Sequence, residues 1–290
     1  MTAFHYDEAF SRNIGWVSAD EQRALRGKRI AIAGMGGVGG LHLLALTRLG
    51  IGKFSIADPD TFELANFNRQ AGAAMSSLDQ LKVETMAHAA RDINPELDIR
   101  ILREPVGEAN LTAFLAGVDL YVDGLDFFAF EARRATFHAC AERNIPAITV
   151  APLGMGAALL NFMPGGMTFE QFFRWGTLPD NEKALRFLLG LAPARLHMGY
   201  LVDPDRIDLA NKRGPSTGMA TQLCAGIAAT EALKILLGRG KTLAAPRGMH
   251  FDAYTNRLKR TWLPGGNANP LQRVLIAIAR RMLRARNARK

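Results

Sequence analysis

A run of glycines between residues 34 and 39 limits what this 290-residue chain can fold into more than any other feature. The run reads Gly34-Met35-Gly36-Gly37-Val38-Gly39 and lies between a β-branched segment, residues 29–33, and the helical apolar spacing of residues 38–49. Glycines permit a tight strand-to-helix turn and let backbone amides approach phosphate oxygens beside the positive end of the helix. The run therefore predicts a strand–turn–helix unit that binds a nucleotide phosphate.

The rest of the N-terminal half alternates short strands with helices. The apolar periods predict strands at 53–57, 97–102, 118–122 and 147–150, and helices at 78–93, near Leu111 and at 131–143. Strands and helices that alternate at this spacing favour right-handed βαβ units. We therefore predict an α/β fold, a doubly wound Rossmann-like and mostly parallel sheet with helices on both faces.

The pattern changes after residue 166. Residues 182–189 predict a helix, and an irregular connection rich in Pro, Asp and Gly then runs to residue 215. Residues 217–237 predict a long apolar helix whose small side chains allow close packing against the sheet. A C-terminal hairpin is predicted at 250–262 and a last, basic amphipathic helix at 270–284.

The composition excludes several classes of protein. With 48% hydrophobic and 22% charged residues, the chain can bury a substantial core and is not intrinsically disordered. Its two cysteines, Cys140 and Cys224, provide neither a disulfide framework nor a four-cysteine zinc site, which fits a reducing cytoplasm. The N-terminal residues have no apolar signal segment, and glycine and proline interrupt the apolar stretch 147–163. We expect a cytoplasmic protein without a membrane span.

Charged residues follow the predicted strands at the edge where a nucleotide would bind. Asp58 ends the second strand, where a carboxylate accepts hydrogen bonds from ribose hydroxyls, and with the glycines alone it would equally fit NAD or FAD. Arg69, Lys82 and Asp126 favour ATP, because phosphoryl or nucleotidyl transfer needs cations for the triphosphate and a carboxylate for magnesium. Each taken alone also has a structural explanation, as a solvated charge or, for Asp126, a helix N-cap.

Several motifs in a fixed order resemble a known family. They are GMGGVG at 34–39, Asp58-Pro59-Asp60, NFNRQ at 66–70, LKVE at 81–84, INPEL at 93–97 and DGLDF at 123–127. Together they resemble the ThiF/MoeB superfamily of adenylyltransferases, which is related to the ubiquitin-activating enzymes. The segment SRNIG at 11–15 and the helix that ends in ATEALKILLG resemble the family's N-terminal segment and closing helix.

The resemblance implies a role for each matching residue. Gly34, Gly36, Gly37 and Gly39 would form the phosphate turn, and Asp58 and Asp60 would lie at the nucleotide, Asp58 on the ribose. Asn66, Arg69 and Lys82 would contact the phosphates, and Asp126 would bind magnesium. Arg12 resembles the arginine that reaches the triphosphate, in family dimers often from the other subunit, so the resemblance also implies a homodimer.

The resemblance also implies a reaction. A carboxylate, either the C-terminus of a ubiquitin-like or carrier protein or a small molecule, would attack the α-phosphorus of ATP and form an acyl adenylate with release of pyrophosphate. A carboxylate is already ionised near neutral pH, so no general base is required.

The chain departs from the family at its cysteines. The two CxxC pairs that bind zinc in many relatives are missing, so we expect no zinc, and residues 166–217 contain no cysteine that could accept an acyl group. Cys140 and Cys224 lie in helical segments and are predicted to be buried. Three alternatives stay open: activation of the kind seen in tRNA threonylcarbamoyladenosine dehydratases, an NAD- or FAD-dependent oxidoreductase, and a module that binds the nucleotide without catalysis.

These features divide the chain into four predicted parts. They are an N-terminal arm, residues 1–27; an ATP-binding Rossmann-like domain, 28–165; a crossover insertion with the closing helix and hairpin, 166–263; and a basic C-terminal helix, 264–290.

The net charge of +9 belongs to one end of the chain. Residues 255–290 contain ten basic and no acidic side chains, which leaves the remainder close to neutral. In the last helix one face carries Leu271, Val274, Leu275, Ile278 and Met282, and Arg273, Arg280 and Arg284 lie on the other. We expect the apolar face to dock on the body; the alternatives are contact with an anionic membrane, RNA or an acidic partner.

Overall fold

The computed structural model describes the backbone of residues 3–208 and 212–287, and side chains as far as residue 283. Its strands are β1 (Arg29–Ala33), β2 (Lys53–Ala57), β3 (Asp98–Leu102), β4 (Leu120–Asp123), β5 (Ala147–Leu153), β6 (Gly156–Phe162), β7 (Arg247–Asp252) and β8 (Arg257–Trp262). Its helices are α1 (Tyr6–Ala9), α2 (Ala19–Gly27), α3 (Gly39–Arg48), α4 (Lys82–Ile93), α5 (Leu111–Phe114), α6 (Phe130–Glu142), α7 (Phe169–Phe173), α8 (Asp180–Leu191), α9 (Gly218–Leu237) and α10 (Pro270–Asn287).

The strands form one eight-stranded sheet in the order β3-β2-β1-β4-β5-β6-β7-β8. The pairs among β1 to β5 are parallel, and β6, β7 and β8 add to the edge in antiparallel fashion. The chain order reverses between β1 and β4, and in open α/β sheets this is the position at which ligands bind, beyond the carboxyl ends of the strands. The predicted doubly wound, mostly parallel sheet is confirmed.

Helices cover both faces of the sheet, as predicted. The side chains of β1 alternate: Ile30 and Ile32 enter a core with α3, α4 and α9, whereas Ala31 and Ala33 enter a core with α5, α6, α7 and α8. Cys224 lies in the first core and Cys140 in the second, and both are buried free thiols. Helix α9 is long and apolar enough to cross a bilayer, but it packs against β5, β6 and α3 as a core helix.

Strand β6 was not predicted from the sequence. Residues 147–163 were interpreted as one strand followed by a broken apolar stretch, but the chain reverses after Leu153 and β6 returns along β5 with every residue buried. Gly154 has φ +61°, which a tight reversal needs, so the glycine that interrupts the apolar run marks a hairpin. Strands β7 and β8 then pair beyond β6, so the sheet continues across the predicted domain boundary at residue 165.

The C-terminal helix docks on the body, as expected, but it does so through a different face from the one predicted. Leu271, Val274, Ile278 and Met282, which were expected to face the body, are 53–82% exposed. The face that packs against α8 contains Ile276, with Leu275, Ala279 and Leu283 partly buried beside it. Arg280, expected in solvent, bonds to Glu182 of α8. The reason is that α10 is apolar over more than one face, so its pattern did not determine which face would be buried.

Candidate functional site

The glycine turn is held against the end of the neighbouring strand. Gly34 has φ +87°, and a Cβ atom there would overlap the backbone of Gly124, the residue after β4. A Cβ atom on Gly39 would overlap the carbonyl oxygen of Gly34 itself. Two of the four predicted glycines are therefore required by close backbone packing at the point where β1 and β4 meet.

The other two glycines are not required by packing within the chain. A Cβ atom on Gly36 would lie 3.5 Å from the side chain of Gln70, and one on Gly37 would lie 3.5 Å from Thr221, both ordinary contact distances. The N-cap residue of α3, Val38, has no side chain that caps the helix. Packing within the chain therefore does not explain why residues 36 and 37 are glycine. The close approach of a phosphate group to the free amides of the first turn of α3 would explain it.

Asp58 lies next to this turn, directly after β2. Its Oδ2 accepts a hydrogen bond from the Met35 amide at 2.6 Å and its Oδ1 from the Asp60 amide at 2.8 Å. The pKa of this carboxyl is raised above its ordinary value, because the effect of burial exceeds the opposing effects of the two amides and Lys82. Each oxygen keeps a further lone pair, so the carboxylate can still accept from ribose hydroxyls.

Lys82 begins α4 and reaches toward the same edge. Its side chain is 10% exposed, and its Nζ lies 3.2 Å from Oδ2 of Asp60, whose side chain is 67% exposed. The Lys82 amide also donates to the Asp60 carbonyl oxygen at 2.9 Å. The aliphatic part of Lys82 is thus buried, and its ammonium group lies at the surface beside the solvated Asp60 carboxylate. In this position the ammonium group is available to an anionic ligand.

The NFNRQ segment packs on the glycine turn through α9. The Thr221 hydroxyl donates to the Arg69 carbonyl oxygen at 3.2 Å. Nη1 of Arg69 donates to the Ala65 carbonyl oxygen and to Oδ1 of Asn68, and no carboxylate in the described structure forms an ion pair with Arg69. Asn66 is buried and accepts from the Glu63 amide at 3.0 Å, which makes its observed role that of a turn-forming residue.

Gln70 is a residue that the sequence analysis did not assign. It is buried beside Gly36, and its Oε1 has no hydrogen-bond partner among the described residues. Buried acceptors are usually paired, so this amide oxygen can accept a hydrogen bond from a bound water molecule or from a ligand at the glycine turn. The position of Gln70 within the NFNRQ motif was the only sequence feature that could have identified it as a site residue.

Asp126 lies on an exposed loop three residues beyond the end of β4. Its Oδ1 accepts from the Phe128 amide at 2.9 Å within the loop, but the N-cap residue of α6 is Ala129, so the helix N-cap considered for Asp126 is not present. The side chain is exposed and forms no ion pair within the described chain. A carboxylate that keeps free lone pairs at the end of a central strand can hold a magnesium ion together with the oxygens of a phosphate ligand.

A buried ion pair that the sequence analysis missed supports this loop. Nε of Arg133 donates to Oδ2 of Asp123 at 2.8 Å, and the two side chains are 3% and 2% exposed. Nη2 of Arg133 donates to the carbonyl oxygens of Leu125 and Asp126 at 2.7 and 3.0 Å. Arg133 thus holds the backbone of the loop that carries Asp126. In the sequence, the feature that could have indicated its burial is its position among the apolar residues of α6.

Arg12 does not reach this site within one chain. It is exposed on a 3₁₀ turn, Ser11–Asn13, whose Asn13 side chain donates to the carbonyl oxygens of Arg48 and Leu49 at the C-terminal end of α3. The glycine turn lies at the opposite end of this ten-residue helix, about 15 Å away. The structure therefore brings together the predicted glycines and Asp58, Asp60, Lys82, Arg69 and Asp126, but not Arg12.

The crossover segment is fastened over the turn between β5 and β6. The Tyr200 hydroxyl donates to Oδ2 of Asp252 at 2.5 Å and accepts from the Met155 amide at 2.7 Å. The Thr217 hydroxyl, which caps α9, donates to the Gly154 carbonyl oxygen at 3.0 Å. Since β5 is parallel to β4, this turn lies at the same edge of the sheet as Asp126.

The described residues contain no group of three or more His, Cys, Asp or Glu side chains arranged to hold a metal ion.

Comparisons with known proteins agree with this arrangement. The sequence profile of the ThiF family matches residues 10–273. The tRNA threonylcarbamoyladenosine dehydratase of Bacillus subtilis is 33% identical over 150 residues, 51% of this chain and 57% of that protein. The molybdopterin-synthase adenylyltransferase of Escherichia coli is 31% identical over 240 residues, 81% of this chain and 83% of that protein.

Among solved structures, PaaA superposes with a TM-score of 0.67 at 18% identity, over 90% of this chain and 74% of that chain. This likeness concerns the fold. The chain spans little more than half the length of the dehydratase it matches.

Proposed function

The chain belongs to the ThiF family, and from this premise we propose that it is an ATP-dependent adenylyltransferase that activates a carboxylate as an acyl adenylate. The observation that carries the proposal is the glycine turn at the uncapped first turn of α3, where packing requires neither Gly36 nor Gly37 and the Arg69 side chain lies 4.0 Å from the position of a Cβ atom on Gly37, with Lys82 paired to Asp60 at the same edge of the sheet. A hydride-transfer enzyme would need the turn and Asp58 but would leave both cations and Asp126 without a role.

The proposed reaction needs positioning and charge neutralisation more than acid–base chemistry. An oxygen of the substrate carboxylate forms a bond to the α-phosphorus of ATP, and the bond to the bridging oxygen breaks, so that the electron pair leaves with pyrophosphate. The amides of the glycine turn, Arg69 and Lys82 would bind the phosphates and hold them in line. Asp58 would accept from the ribose hydroxyls, and the unpaired Oε1 of Gln70 offers a further acceptor for the nucleotide.

Magnesium fits the residues present. Asp126 is a single exposed carboxylate at the end of a central strand, and Mg²⁺ commonly takes one or two carboxylates, with phosphate oxygens and waters completing its shell. The ion would supply charge neutralisation for the leaving pyrophosphate. Arg133 would position Asp126 by fixing the loop carbonyl groups.

The fate of the acyl group follows from the cysteines. Burial raises the pKa of the Cys140 thiol to about 12 and raises the pKa of Cys224 further, so neither offers a thiolate at neutral pH. The adenylate would therefore pass directly to a nucleophile or to a sulfur atom on another protein. The substrate would be a ubiquitin-like or carrier-protein C-terminus, or a small carboxylate, as in the dehydratase that this chain resembles.

A homodimer accounts for Arg12. Because Arg12 lies at the far end of α3 within its own chain, a contribution to the triphosphate requires a second subunit. The two free, buried thiols support a place in the reducing cytoplasm.

Pyrophosphate exchange into ATP tests the proposal. We expect exchange that depends on magnesium and on an added carboxylate, tested with ubiquitin-like proteins and with threonylcarbamoyladenosine-containing tRNA in parallel. Asp126→Asn keeps an oxygen that accepts from the Phe128 amide, yet it should lower exchange by about a hundredfold or more. The matched control is Asp92→Asn, at an exposed carboxylate near the C-terminal end of α4, the end of that helix away from Lys82, and it should exchange normally.

Two results would contradict the proposal. Undiminished exchange in Asp126→Asn would remove the metal role of this residue. Calorimetric binding of NADH in preference to ATP with magnesium would replace the adenylyltransferase by an oxidoreductase, and tight ATP binding without turnover on any substrate would leave a binding module.

A further inference from the structure

Helix α10 carries a stripe of apolar side chains that nothing in the described structure covers. Leu271, Val274, Ile278 and Met282 are 82%, 58%, 53% and 68% exposed. Their spacing of three and four residues places them on one face over about 16 Å of helix. Scattered exposed apolar residues are ordinary on protein surfaces, but a continuous row of them marks an interaction surface.

The exposure of this stripe does not mean that α10 is undocked. The helix already packs against Leu185 and Leu189 of α8 through Ile276, on a different face. The buried Gln272 side chain donates to Oδ1 of Asn267 at 3.2 Å, and Nδ2 of Asn267 donates to carbonyl oxygens of Phe173 and Arg186. The helix is therefore fixed in place while its apolar stripe points away from the protein.

A basic groove runs beside the stripe. A cavity of about 490 Å³ is lined by Arg186, Arg273 and Arg280, with Val274 and Ile276 on its apolar side. Glu182 bonds to Arg280 at 2.5 and 2.8 Å, but no carboxylate in the described residues forms an ion pair with Arg186 or Arg273. Val274 belongs to both features, so the groove adjoins the stripe at this residue, while Arg273 and Arg280 lie on the side of the helix away from the centre of the stripe.

Burial and charge at Arg186 indicate an anionic ligand for this groove. Its Nε atom is buried without a hydrogen-bond partner among the described residues, while its Nη1 donates to the Arg174 carbonyl oxygen at 2.7 Å. Burial lowers the pKa of this guanidinium below its ordinary value, and the charge of Arg280 adds to that shift, whereas the carboxylates of Glu182 and Glu170 act against it from a distance. An anion that bridged the arginines would satisfy the Nε donor and reduce their mutual repulsion.

We propose that α10 binds the surface of an anionic phospholipid bilayer, with the apolar stripe at the acyl boundary and a lipid phosphate in the arginine groove. Interfacial helices combine an apolar face with neighbouring basic side chains in this way. Residues 255–290 contain ten basic and no acidic residues, which adds a general attraction to anionic lipid. The proposal is independent of the adenylyltransferase activity.

The same observations disfavour other occupants. A second copy that paired stripe to stripe about a two-fold axis would bring the exposed Arg281, which flanks the stripe, near its mate without an acidic partner on α10. An RNA ligand would use the arginines but would gain little from four aliphatic side chains.

Flotation of the full chain with lipid vesicles tests the proposal. Vesicles of phosphatidylcholine with about 30% phosphatidylglycerol should bind the protein at least about tenfold more tightly than phosphatidylcholine alone, and added salt should weaken the binding. The triple variant Leu271→Ser, Val274→Ser, Ile278→Ser should lose at least about tenfold in affinity, and Arg273→Gln should lose a smaller part. Val202→Ser, at a 96% exposed apolar residue away from α10, is the matched control and should bind as before.

Thermal unfolding checks that every variant is folded. We expect no large change in stability, because all the substituted side chains are exposed. Three outcomes would overturn the proposal: equal binding to neutral and anionic vesicles or none to either; binding of a single-stranded RNA that the triple variant retains; or a shift from dimer to monomer caused by the triple variant in the absence of lipid.

Discussion

Arg133 and Asp123 form an ion pair in the interior, 2.8 Å between Nε and Oδ2, directly beneath the loop that carries Asp126. Thr149 donates its hydroxyl to the same Asp123 oxygen at 3.0 Å, so the carboxylate has partners from both α6 and β5. The pair therefore connects the second core of the sheet to the proposed metal-binding loop.

Removal of the Arg133 charge should reduce both stability and activity. Arg133→Met leaves the Asp123 carboxylate buried without its cation, which costs about 3–5 kcal/mol in the free energy of unfolding. It also releases the carbonyl oxygens of Leu125 and Asp126, so pyrophosphate exchange should fall at temperatures where the variant remains folded. Urea unfolding and exchange assays measure the two effects. Arg134→Met, at a partly exposed neighbour on the same helix, is the control, and equal losses in both variants would contradict the proposed role of Arg133.

The glycines of the turn should separate into two classes. Gly34→Ala puts a Cβ atom into the Gly124 backbone at a φ of +87°, so we expect a loss of about 3 kcal/mol or more in the free energy of unfolding. Gly36→Ala meets only ordinary contacts with the Gln70 side chain and should change stability by less than about 1 kcal/mol. It should nevertheless weaken ATP binding by about tenfold or more, because a methyl group in the proposed phosphate turn hinders the close approach of the phosphate to the backbone. Calorimetry with ATP and urea unfolding distinguish them; normal ATP binding by Gly36→Ala would place the phosphates elsewhere.

Tyr200 should control the crossover segment. Tyr200→Phe removes the hydroxyl that bonds to Asp252 and the Met155 amide, and it leaves that part-buried amide without a partner. We expect a loss of about 1–3 kcal/mol and faster amide exchange at residues 196–200 than in the parent chain. Tyr254→Phe is the control, because Tyr254 packs its ring against Tyr200 at a tilted angle but is itself 61% exposed. Unchanged exchange in Tyr200→Phe would show that packing alone holds the segment.

Two buried histidines should make the protein less stable in mild acid. Burial lowers the pKa of His42 to about 3 and that of His250 to about 4, so both stay neutral in the folded chain where the unfolded chain would bind protons. The folded state therefore loses stability as the pH falls from about 6.5, by about 2 kcal/mol per histidine at pH 5. Denaturant unfolding at pH 7 and pH 5 measures this.

His42→Leu should reduce the pH dependence, whereas His138→Gln, at an exposed side chain, should leave it unchanged. Identical slopes in His42→Leu and the parent would contradict the assignment.

Mixed dimers test the role of Arg12. Arg12→Gln and Asp126→Asn should each be inactive as homodimers if Arg12 acts across a subunit interface. Co-refolded mixtures should recover about a quarter of the parent activity, because random pairing of equal amounts leaves one intact site in half of the dimers. Absence of recovery in mixtures that do form heterodimers would place Arg12 outside the site.

The sequence predicted the parts of the site whose residues are local. The glycines, Asp58 and Lys82 follow strands or begin helices, and in a parallel sheet all such positions converge at one edge. Asp123 and Arg133 were missed because a buried charge has no sequence pattern of its own; its partner lies ten residues away on another element. The reversal at Gly154 was missed because an apolar run cannot by itself show whether the chain continues or turns back.

The sequence by itself determined the doubly wound sheet and the place of the nucleotide turn, because hydrophobic period and glycine conformation are properties of short segments. The tertiary structure decided which contacts those segments make. Only the packing of α10 on α8 showed that Ile276 is buried and Ile278 is exposed, since a helix with apolar residues on two sides buries the side that fits its neighbour. Only the course of the N-terminal arm showed that the segment carrying Arg12 packs at the C-terminal end of α3, a helix about 15 Å long whose other end carries the glycine turn.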